Sequence, residues 1–347
     1  MFEAVRCMWM RGGTSKGGFF LASDLPADAA SRNAWLARAM GSPDVAQADG
    51  MGGGHPLASK VAIVSRSARP DADLDYYFLQ VVPESGRVAD DQNCGNMLAG
   101  VLPFAIERGL LDAADGVTEA RVLQVNSGTV AALRIATPGG RLRYGEAMGS
   151  DSGIEVEIEF RDIAGSKCGQ LLPTGKAVEA IDGIDCTLID NGMPCVIVAA
   201  AALGVTGYEH PADLEANDGL RKRIENIRLE AGPLMGLGDV TEKPVPKMML
   251  VAPARDGGAL CVRSFIPHRA HRSVGVLAAV TVATAALLPE SAATPLARVG
   301  GGARRRMAIE HPSGTMDCIL SLDADGNVES AGLARSARKL MDGMVFG

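Results

Sequence analysis

The stretch QNCGNMLAGVLPFAIERGL, residues 92–110, decides the fold. A polar segment that ends in Cys94 and Gly95 runs directly into an apolar segment. This pattern predicts a buried helix over 96–111 that ends near Gly109.

A second copy of this pattern lies later in the chain. VLAAV at 276–280 repeats MLAGV at 97–101 at an offset of 179 residues, and Cys186 repeats Cys7 at the same offset. Two matches at one offset indicate an internal duplication.

The order of the predicted elements repeats as well. Each half begins with a hairpin, continues with a helix and a strand that follows a lysine, and then reaches the apolar helix. These elements are predicted at 4–22, 26–40, 60–65 and 96–111, and again at 186–200, 211–230, 248–252 and from 275 onward. We predict an α/β (α+β) fold of two similar domains, 1–182 and 183–347, with a cleft between them. Helix N-termini at Cys94 and Ser273 would suit an anion there.

The composition narrows the class of protein. The 347 residues include 34 Lys and Arg against 41 Asp and Glu, a net charge of −7, so we expect neither nucleic acid nor a membrane as a partner. The apolar run 274–288 is too short to cross a bilayer and predicts a buried helix. None of the seven cysteines forms a CxxC pair, so we expect a reducing, cytoplasmic environment.

Cys94 is the sharpest candidate for chemistry. It precedes a predicted apolar helix and stands among polar and glycine residues. The free N–H groups of a helix N-terminus stabilise a thiolate, and Gly95 lets the backbone approach a ligand. A buried structural cysteine is the competing interpretation.

Lys60 is a second candidate, since it opens a predicted strand just after the glycine-rich loop 51–55. A lysine that acts as a base must be neutral, which requires desolvation or a cationic neighbour. A solvated surface lysine is the default for this residue type. The residues alone leave both interpretations open.

The segment MRGGTSKG at 10–17 is rich in glycine and hydroxyl groups. It lacks the Gly-Lys-Ser/Thr of a Walker A loop, and the segment 169–176 fails that pattern too. We predict instead that the backbone near Gly12, helped by Thr14 and Ser15, cradles a carboxylate. A plain glycine hairpin is the alternative.

The segment SFIPHRAHRS at 264–273 leads into the second apolar helix. His268 and His271 are three residues apart, but without HExxH or an acidic ligand nearby we expect no metal. Arg269 is predicted to clamp a carboxylate. An ordinary surface arginine is the competing interpretation.

Several motifs together resemble the PrpF-like branch of the diaminopimelate-epimerase-like superfamily. They are MRGGTSKGGFF (10–20), GSPD (41–44), SKVAIV (59–64), QNCGN (92–96), LLPTG (171–175), IDNGMPC (189–195), GVTGYE (204–209), VPKMMLVAP (245–253), SFIPHRAH (264–271) and EHPSG (310–314). The similarity runs nearly end to end. IDNGMPC and SFIPHRAH point to the 4-oxalomesaconate tautomerases, or Δ-isomerases, of bacterial gallate and protocatechuate breakdown.

The resemblance implies two epimerase-like domains, each a curved mixed sheet around a central helix, with the active site in the cleft. It implies that Lys60 and Cys94 are the acid–base residues. Racemases of this fold carry a second cysteine where the alignment places Ser273, so an asymmetric Lys/Cys isomerase is expected. The substrate-binding residues are then predicted to be Arg11, Gly12, Gly13, Thr14, Ser15, Ser59, Asn93, Gly95, Asn96, Met193, Arg269, Ser273 and Val274.

We therefore expect an isomerase without metal or cofactor that moves a proton along 4-oxalomesaconate, an unsaturated keto tricarboxylate. The alternatives are an aconitate or methylitaconate isomerase and a non-catalytic polycarboxylate-binding protein. His55 and the segment 126–128 depart from the family pattern and leave the substrate preference open. The interpretation is compatible with a homodimer.

Overall fold

The computed structural model describes residues 4–145 and 153–347. By their contacts the chain divides into two compact units. The first comprises the residues up to Ile158 together with Ala334–Gly347, and the second comprises Glu159–Leu333. These limits differ from the predicted domains 1–182 and 183–347 in two ways, because residues 159–182 belong to the second unit and the last 14 residues belong to the first.

The first unit is a mixed sheet with helices. Its strands are β1 (Ala4–Gly12), β2 (Ser15–Leu21), β3 (Lys60–Arg66), β4 (Leu74–Val81), β5 (Val88–Ala89), β6 (Gly116–Gln124), β7 (Thr129–Thr137) and β8 (Ile154–Arg161), which continues into the second unit, and its helices are α1 (Ala29–Ala39), α2 (Gly95–Leu98) and α3 (Val101–Glu107). The pairs β1–β2, β3–β4 and β6–β7 are antiparallel, whereas β2–β3 and β4–β6 are parallel. The end of the chain, 337–346, pairs with β1.

The first predicted helix forms as expected. Asp28 caps α1 by accepting a hydrogen bond from Ser31 N at 2.8 Å, which satisfies one of the free N–H groups of the first turn. Trp35 on its inner face meets Phe20 of β2 edge-on, with ring centroids 5.8 Å apart. The helix is thereby fixed to the face of the sheet that carries Phe20.

The helix predicted over 96–111 forms as two segments, α2 and α3, separated by Ala99 and Gly100, whose backbone dihedrals are both helical. Pro103 has no N–H to donate to the carbonyl of residue 99, so the hydrogen-bond ladder is interrupted there. A Cβ on Gly100 would lie 2.4 Å from the ring of Phe19. The predicted burial and the end near Gly109 are confirmed, whereas the prediction of one unbroken element is not.

The second unit repeats this plan. Its elements are β9 (Glu179–Ile181), β10 (Ile184–Asp190), β11 (Pro194–Ala199), α4 (Pro211–Ala216), α5 (Asp218–Leu234), β12 (Lys247–Ala252), β13 (Leu260–Phe265), α6 (Val276–Ala285), β14 (Arg304–His311), β15 (Gly314–Leu322) and β16 (Val328–Phe346), whose last part belongs to the first unit. From β10 to β15 the pairs alternate antiparallel and parallel as they do from β1 to β7. The repeated topology confirms the predicted duplication.

Two helices of this unit bear on the predictions. The helix predicted over 211–230 is divided at Asn217, whose side chain caps α5 by accepting from Leu220 N at 3.0 Å. α6 begins after Gly275 as predicted, and its residues 278–285 are all buried in the core. No helix in the described part of the chain is long and apolar enough to span a membrane.

Candidate active site

The turn between β1 and β2 packs closely against Asn96 of α2. A Cβ on Gly12 would lie 2.1 Å from the Asn96 carbonyl oxygen, and one on Gly13 would lie 2.4 Å from Asn96 Oδ1. Asn96 Nδ2 donates to Thr14 Oγ1 at 3.0 Å and lies 3.4 Å from Ser15 Oγ. Packing thus requires glycine at 12 and 13, and five predicted substrate-binding residues come together.

Arg11 braces the same turn from within the first unit. Its Nη1 donates to the carbonyl of Gly13 at 2.9 Å and to Ser336 Oγ at 3.0 Å. The guanidinium therefore fixes the shape of the turn, and its predicted contact with a substrate stays a prediction.

Lys60 is the first residue of β3 and is only 7% exposed. Its Nζ donates to Gln80 Oε1 at 2.7 Å and lies 5.0 Å from the centre of the Phe78 ring. An amide is a neutral acceptor, so this hydrogen bond holds the amine in place without supplying a counter-charge. The lysine is thus buried, which the sequence alone did not establish.

The side chain of Gln80 is held in one orientation. Its Nε2 lies 3.1 Å from Pro56 O, 3.0 Å from Ser59 O and 3.2 Å from Val81 O. Since carbonyl oxygens only accept hydrogen bonds, the –NH₂ end must face them. The oxygen end is therefore fixed toward Lys60.

Ser59 precedes Lys60 and is fully buried. Its hydroxyl donates to Gln47 Oε1 and lies 3.0 Å from the carbonyl of His55. The hydroxyl is thus engaged within the loop before β3. Any contact of Ser59 with a substrate would involve its backbone.

Cys94 is partly exposed and occupies the N-cap of α2. Its carbonyl accepts hydrogen bonds from Leu98 N and from the hydroxyl of Tyr76, both at 3.0 Å. Burial raises the pKa of Tyr76 well above its usual value, so the phenol keeps its proton and remains a donor. A Cβ on Gly95 would meet no atom of the described residues within 4 Å, so these residues leave space beside Gly95, the residue that follows Cys94.

The loop before Cys94 is tied to the turn after β6. Asn93 Nδ2 donates to Ser127 Oγ at 2.6 Å. Asn126 accepts from Phe78 N at 2.9 Å and donates to the carbonyls of Phe78 and Asp90 at 2.8 and 2.9 Å. The segment 126–128, which departs from the family pattern, therefore positions the loop that leads to Cys94.

The other thiols are poor candidates for chemistry. Among the seven cysteines, all of which the structure describes as free, only Cys94 and Cys168 are not buried. Burial, together with the carboxylate of Asp190, raises the pKa of Cys168 to about 12. Burial likewise raises the pKa of Cys7 to about 12.

Strand β2 packs against both of the elements that carry the predicted catalytic residues. Gly17 of β2 lies opposite Lys60 of β3. A Cβ on Gly17 would lie 2.0 Å from Lys60 O and 3.0 Å from Met97 Cε of α2. α2 also contacts β3 directly. The elements that carry Lys60 and Cys94 are therefore packed around the same glycine.

In the second unit, the turn that contains Met193 is attached to α6. Thr281 Oγ1 lies 3.0 Å from Asn191 O and 3.2 Å from Met193 O, and Asn191 Nδ2 donates to Thr284 Oγ1 at 2.8 Å. The partly buried Met193 is thus held by the central helix of its unit.

Ser273 does not lie at the helix terminus that the alignment predicted. The N-cap of α6 is Gly275, because Ser273 N is occupied by His271 Nδ1 at 3.0 Å and the segment bends there. Ser273 Oγ lies 3.5 Å from His311 Nε2. Val274 is buried, so only its backbone remains for a ligand.

Arg269 is 83% exposed and forms an ion pair with Glu215, at 3.3 Å from Nε to Oε1. The two histidines of the same segment have different neighbours, because His268 Nδ1 lies 3.4 Å from Glu225 whereas His271 accepts from Ser273 N. Within residues 4–145 and 153–347, no three His, Cys, Asp or Glu side chains cluster to hold a metal ion.

The chain matches the family described as "PrpF protein" over residues 3–347. It belongs to the PrpF family. Among its relatives is a (4E)-oxalomesaconate Delta-isomerase of Novosphingobium sp. (strain KA1), 58% identical and aligned over 99% of this chain and 98% of that protein. A 4-oxalomesaconate tautomerase of Pseudomonas putida is 49% identical, over 98% of this chain and 95% of that protein.

A solved structure of similar sequence supports the fold. The crystal structure of a methylitaconate-delta-isomerase is 31% identical, covers 99% of this chain and 95% of its own, and superposes with a TM-score of 0.88. These relatives are isomerases, and this PrpF-family chain is an isomerase as well.

Sequence reasoning missed two residues that shape this candidate site, Gln80 and Tyr76. Both are buried and lie on the same face of β4 as Leu74 and Phe78, so their side chains point into the protein. A glutamine and a tyrosine at inward-facing positions of a strand were the signal available, since buried polar groups need partners. Asn126 was noted only as part of a segment that departs from the family pattern, and its contacts became visible in the structure.

Proposed function

We propose that this PrpF-family isomerase acts on 4-oxalomesaconate and moves a proton between two carbons of its conjugated keto tricarboxylate. The two relatives named for that compound share 58% and 49% of their residues with this chain. The methylitaconate isomerase shares 31%. These identities support oxalomesaconate over the methylitaconate alternative.

One observation carries the assignment of the chemistry. Lys60 is buried and held by a neutral acceptor, and Cys94 is partly exposed, and the two residues lie on elements packed around the same glycine, Gly17. A buried amine with no carboxylate on its hydrogen bond suits a general base. A thiol at an accessible N-cap suits the partner acid.

The proton shift follows from these roles. Conjugation with the carbonyl and the alkene acidifies a C–H bond of the substrate, and Lys60 Nζ removes that proton to give a dienolate. The Cys94 thiol returns a proton two carbons away, and the double bond moves. Atoms and electrons balance without a redox change, so the proposed reaction needs neither metal nor cofactor. Positioned acid–base groups of this kind contribute about 10²–10⁴-fold each.

The test is turnover of 4-oxalomesaconate in deuterated water, with deuterium entry into the product followed by NMR. Lys60→Ala and Cys94→Ser should each lower kcat by about 10²-fold or more, whereas Cys168→Ser should keep wild-type rates. Near-normal turnover by both site variants would overturn the assignment. Thermal stabilisation by the compound without deuterium entry would indicate a binding protein instead.

We also propose that the enzyme works in the cytoplasm, in bacterial breakdown of aromatic acids. All seven cysteines are free, which is typical of proteins in a reducing compartment.

A further inference from the structure

The duplication gives the second unit a lysine in the position of Lys60. Lys60 opens β3 opposite Gly17 of the parallel strand β2. Lys247 opens β12 opposite Cys195 of the parallel strand β11. Both lysines thus start the strand that follows the hairpin.

The two lysines differ in their partners. Lys60 pairs across to Gln80, which supplies its hydrogen bond. In the second unit Met248 pairs with Phe265 in an antiparallel ladder. Lys247, one residue before Met248, therefore lies beside Ile266, one residue after Phe265. An isoleucine side chain accepts no hydrogen bond. In the part of the chain that the structure describes, no hydrogen bond or ion pair holds Lys247 Nζ, although the residue is partly buried.

The free amine lies at the start of the central helix. Its Nζ is 3.6 Å from the point that a Cβ on Gly275, the N-cap of α6, would occupy. Among the described residues, no side chain caps the first turn of this ten-residue helix, so its first N–H groups have no side-chain acceptor there. An ammonium group and the positive end of a helix repel each other. The arrangement therefore favours an anion between them.

A buried hydroxyl on the same face of the sheet also lacks a partner. Ser264 is 1% exposed, and its Oγ forms no hydrogen bond with any described residue. It lies opposite Met249 and alternates with Leu260 and Val262, which pack in the cluster around α6. Native proteins rarely leave such a group unsatisfied, and a carboxylate oxygen would accept its proton.

We propose that Lys247, with Ser264 and the first turn of α6, binds a carboxylate group of the substrate. This inference rests on the proposed function, and it divides the work of the two lysines. Lys60, oriented by Gln80, moves the proton. Lys247, without such a partner, anchors the substrate.

The test measures binding and turnover separately. The binding probe is tricarballylate (propane-1,2,3-tricarboxylate), which has no double bond to move, titrated into the enzyme by calorimetry. Lys247→Met should raise both its Kd and the KM for 4-oxalomesaconate roughly 10- to 100-fold, the value of a charge-assisted hydrogen bond. kcat should change less than about threefold, because the lysine contacts ground and transition states alike. Lys247→Arg should recover most of the affinity.

A second variant and a control separate this role from a structural one. Ser264→Ala should weaken tricarballylate binding without lowering the melting temperature, since it removes a hydroxyl with no described protein partner. The exposed Lys222→Met, on α5, should match the wild type. Unchanged Kd in Lys247→Met and Ser264→Ala would overturn the proposal, as would a wild-type enzyme that binds no tricarboxylate. If turnover is lost in Lys60→Ala and Cys94→Ser but binding is unchanged in Lys247→Met and Ser264→Ala, the proposed function stands and the proposed role of Lys247 is wrong.

Discussion

Replacing Gln80 by glutamate tests how Lys60 is kept ready to accept a proton. Gln80 Oε1 accepts from Lys60 Nζ at 2.7 Å, while its Nε2 faces the carbonyls of Pro56, Ser59 and Val81. Gln80→Glu keeps the shape of the side chain and replaces the neutral acceptor by a carboxylate. The new carboxylate would hold the lysine as an ammonium ion, which is not a base.

The expected loss follows from the geometry. Two unit charges about 4 Å apart interact by about 4 kcal/mol at an effective dielectric constant of about 20, and the present contact is shorter. Relaxation and solvent lower this value, so we take about 1.4–4 kcal/mol in favour of the charged amine. This energy corresponds to a roughly 10- to 1000-fold fall in kcat/KM at neutral pH. The lost –NH₂ donor should also destabilise the fold by about 1–3 kcal/mol.

The assay is kcat/KM for 4-oxalomesaconate at pH 7, with urea unfolding as the measure of stability. Gln80→Glu should lose kcat/KM by the factor given above, because its carboxylate favours the ammonium form of the lysine. Gln80→Met, which removes the acceptor without adding charge, should be destabilised but should lose less kcat/KM. A glutamate variant with the kcat/KM of the wild type would refute the role of Lys60 as the base.

Two further predictions concern packing and charge. A Cβ on Gly95 would meet none of the described residues within 4 Å, so the free energy of unfolding of Gly95→Ala should lie within about 0.5 kcal/mol of that of the wild type, whereas its kcat/KM should fall about tenfold. A Cβ on Gly17 would lie 2.0 Å from Lys60 O, so Gly17→Ala should lower the free energy of unfolding by about 1–3 kcal/mol through overpacking. Arg108 lowers the pKa of Asp342 to about 2. Because this is below the unfolded value of about 4, Asp342→Asn should cost about 1 kcal/mol at pH 7, and the difference in urea unfolding should vanish as pH falls from 4 toward 2.

Much of the fold could be predicted because hydrophobic periodicity is local. The hairpin of β1 and β2, the helix α1 within 26–40 and the start of α6 after Gly275 agree with the sequence patterns. The unit boundaries did not follow from those patterns. The sequence does not reveal that residues 334–347 pair with β1, because strand pairing over more than 300 residues leaves no local signal.

The candidate site was predicted in part for a similar reason. The segments around Gly12 and Cys94 carry unusual local composition, and packing explains the glycines at 12, 13 and 17. The hydrogen bond that holds the buried Lys60 is accepted by Gln80, twenty residues away on the next strand. That contact becomes visible only when the register of β3 and β4 is known.

The different continuity of the central helices gives a physical reason for dividing chemistry from binding. Behind Cys94 the helical segment is interrupted between α2 and α3, although Ala99 and Gly100 keep helical dihedrals. The position of Cys94 therefore depends on near neighbours such as Tyr76, whose hydroxyl donates to its carbonyl, as well as on the helix. α6 has ten residues and is continuous. A fixed positive end suits a permanent anion, whereas a proton-transfer group must change its charge during the reaction, so the continuous helix is the better place for a carboxylate and the interrupted one for the thiol.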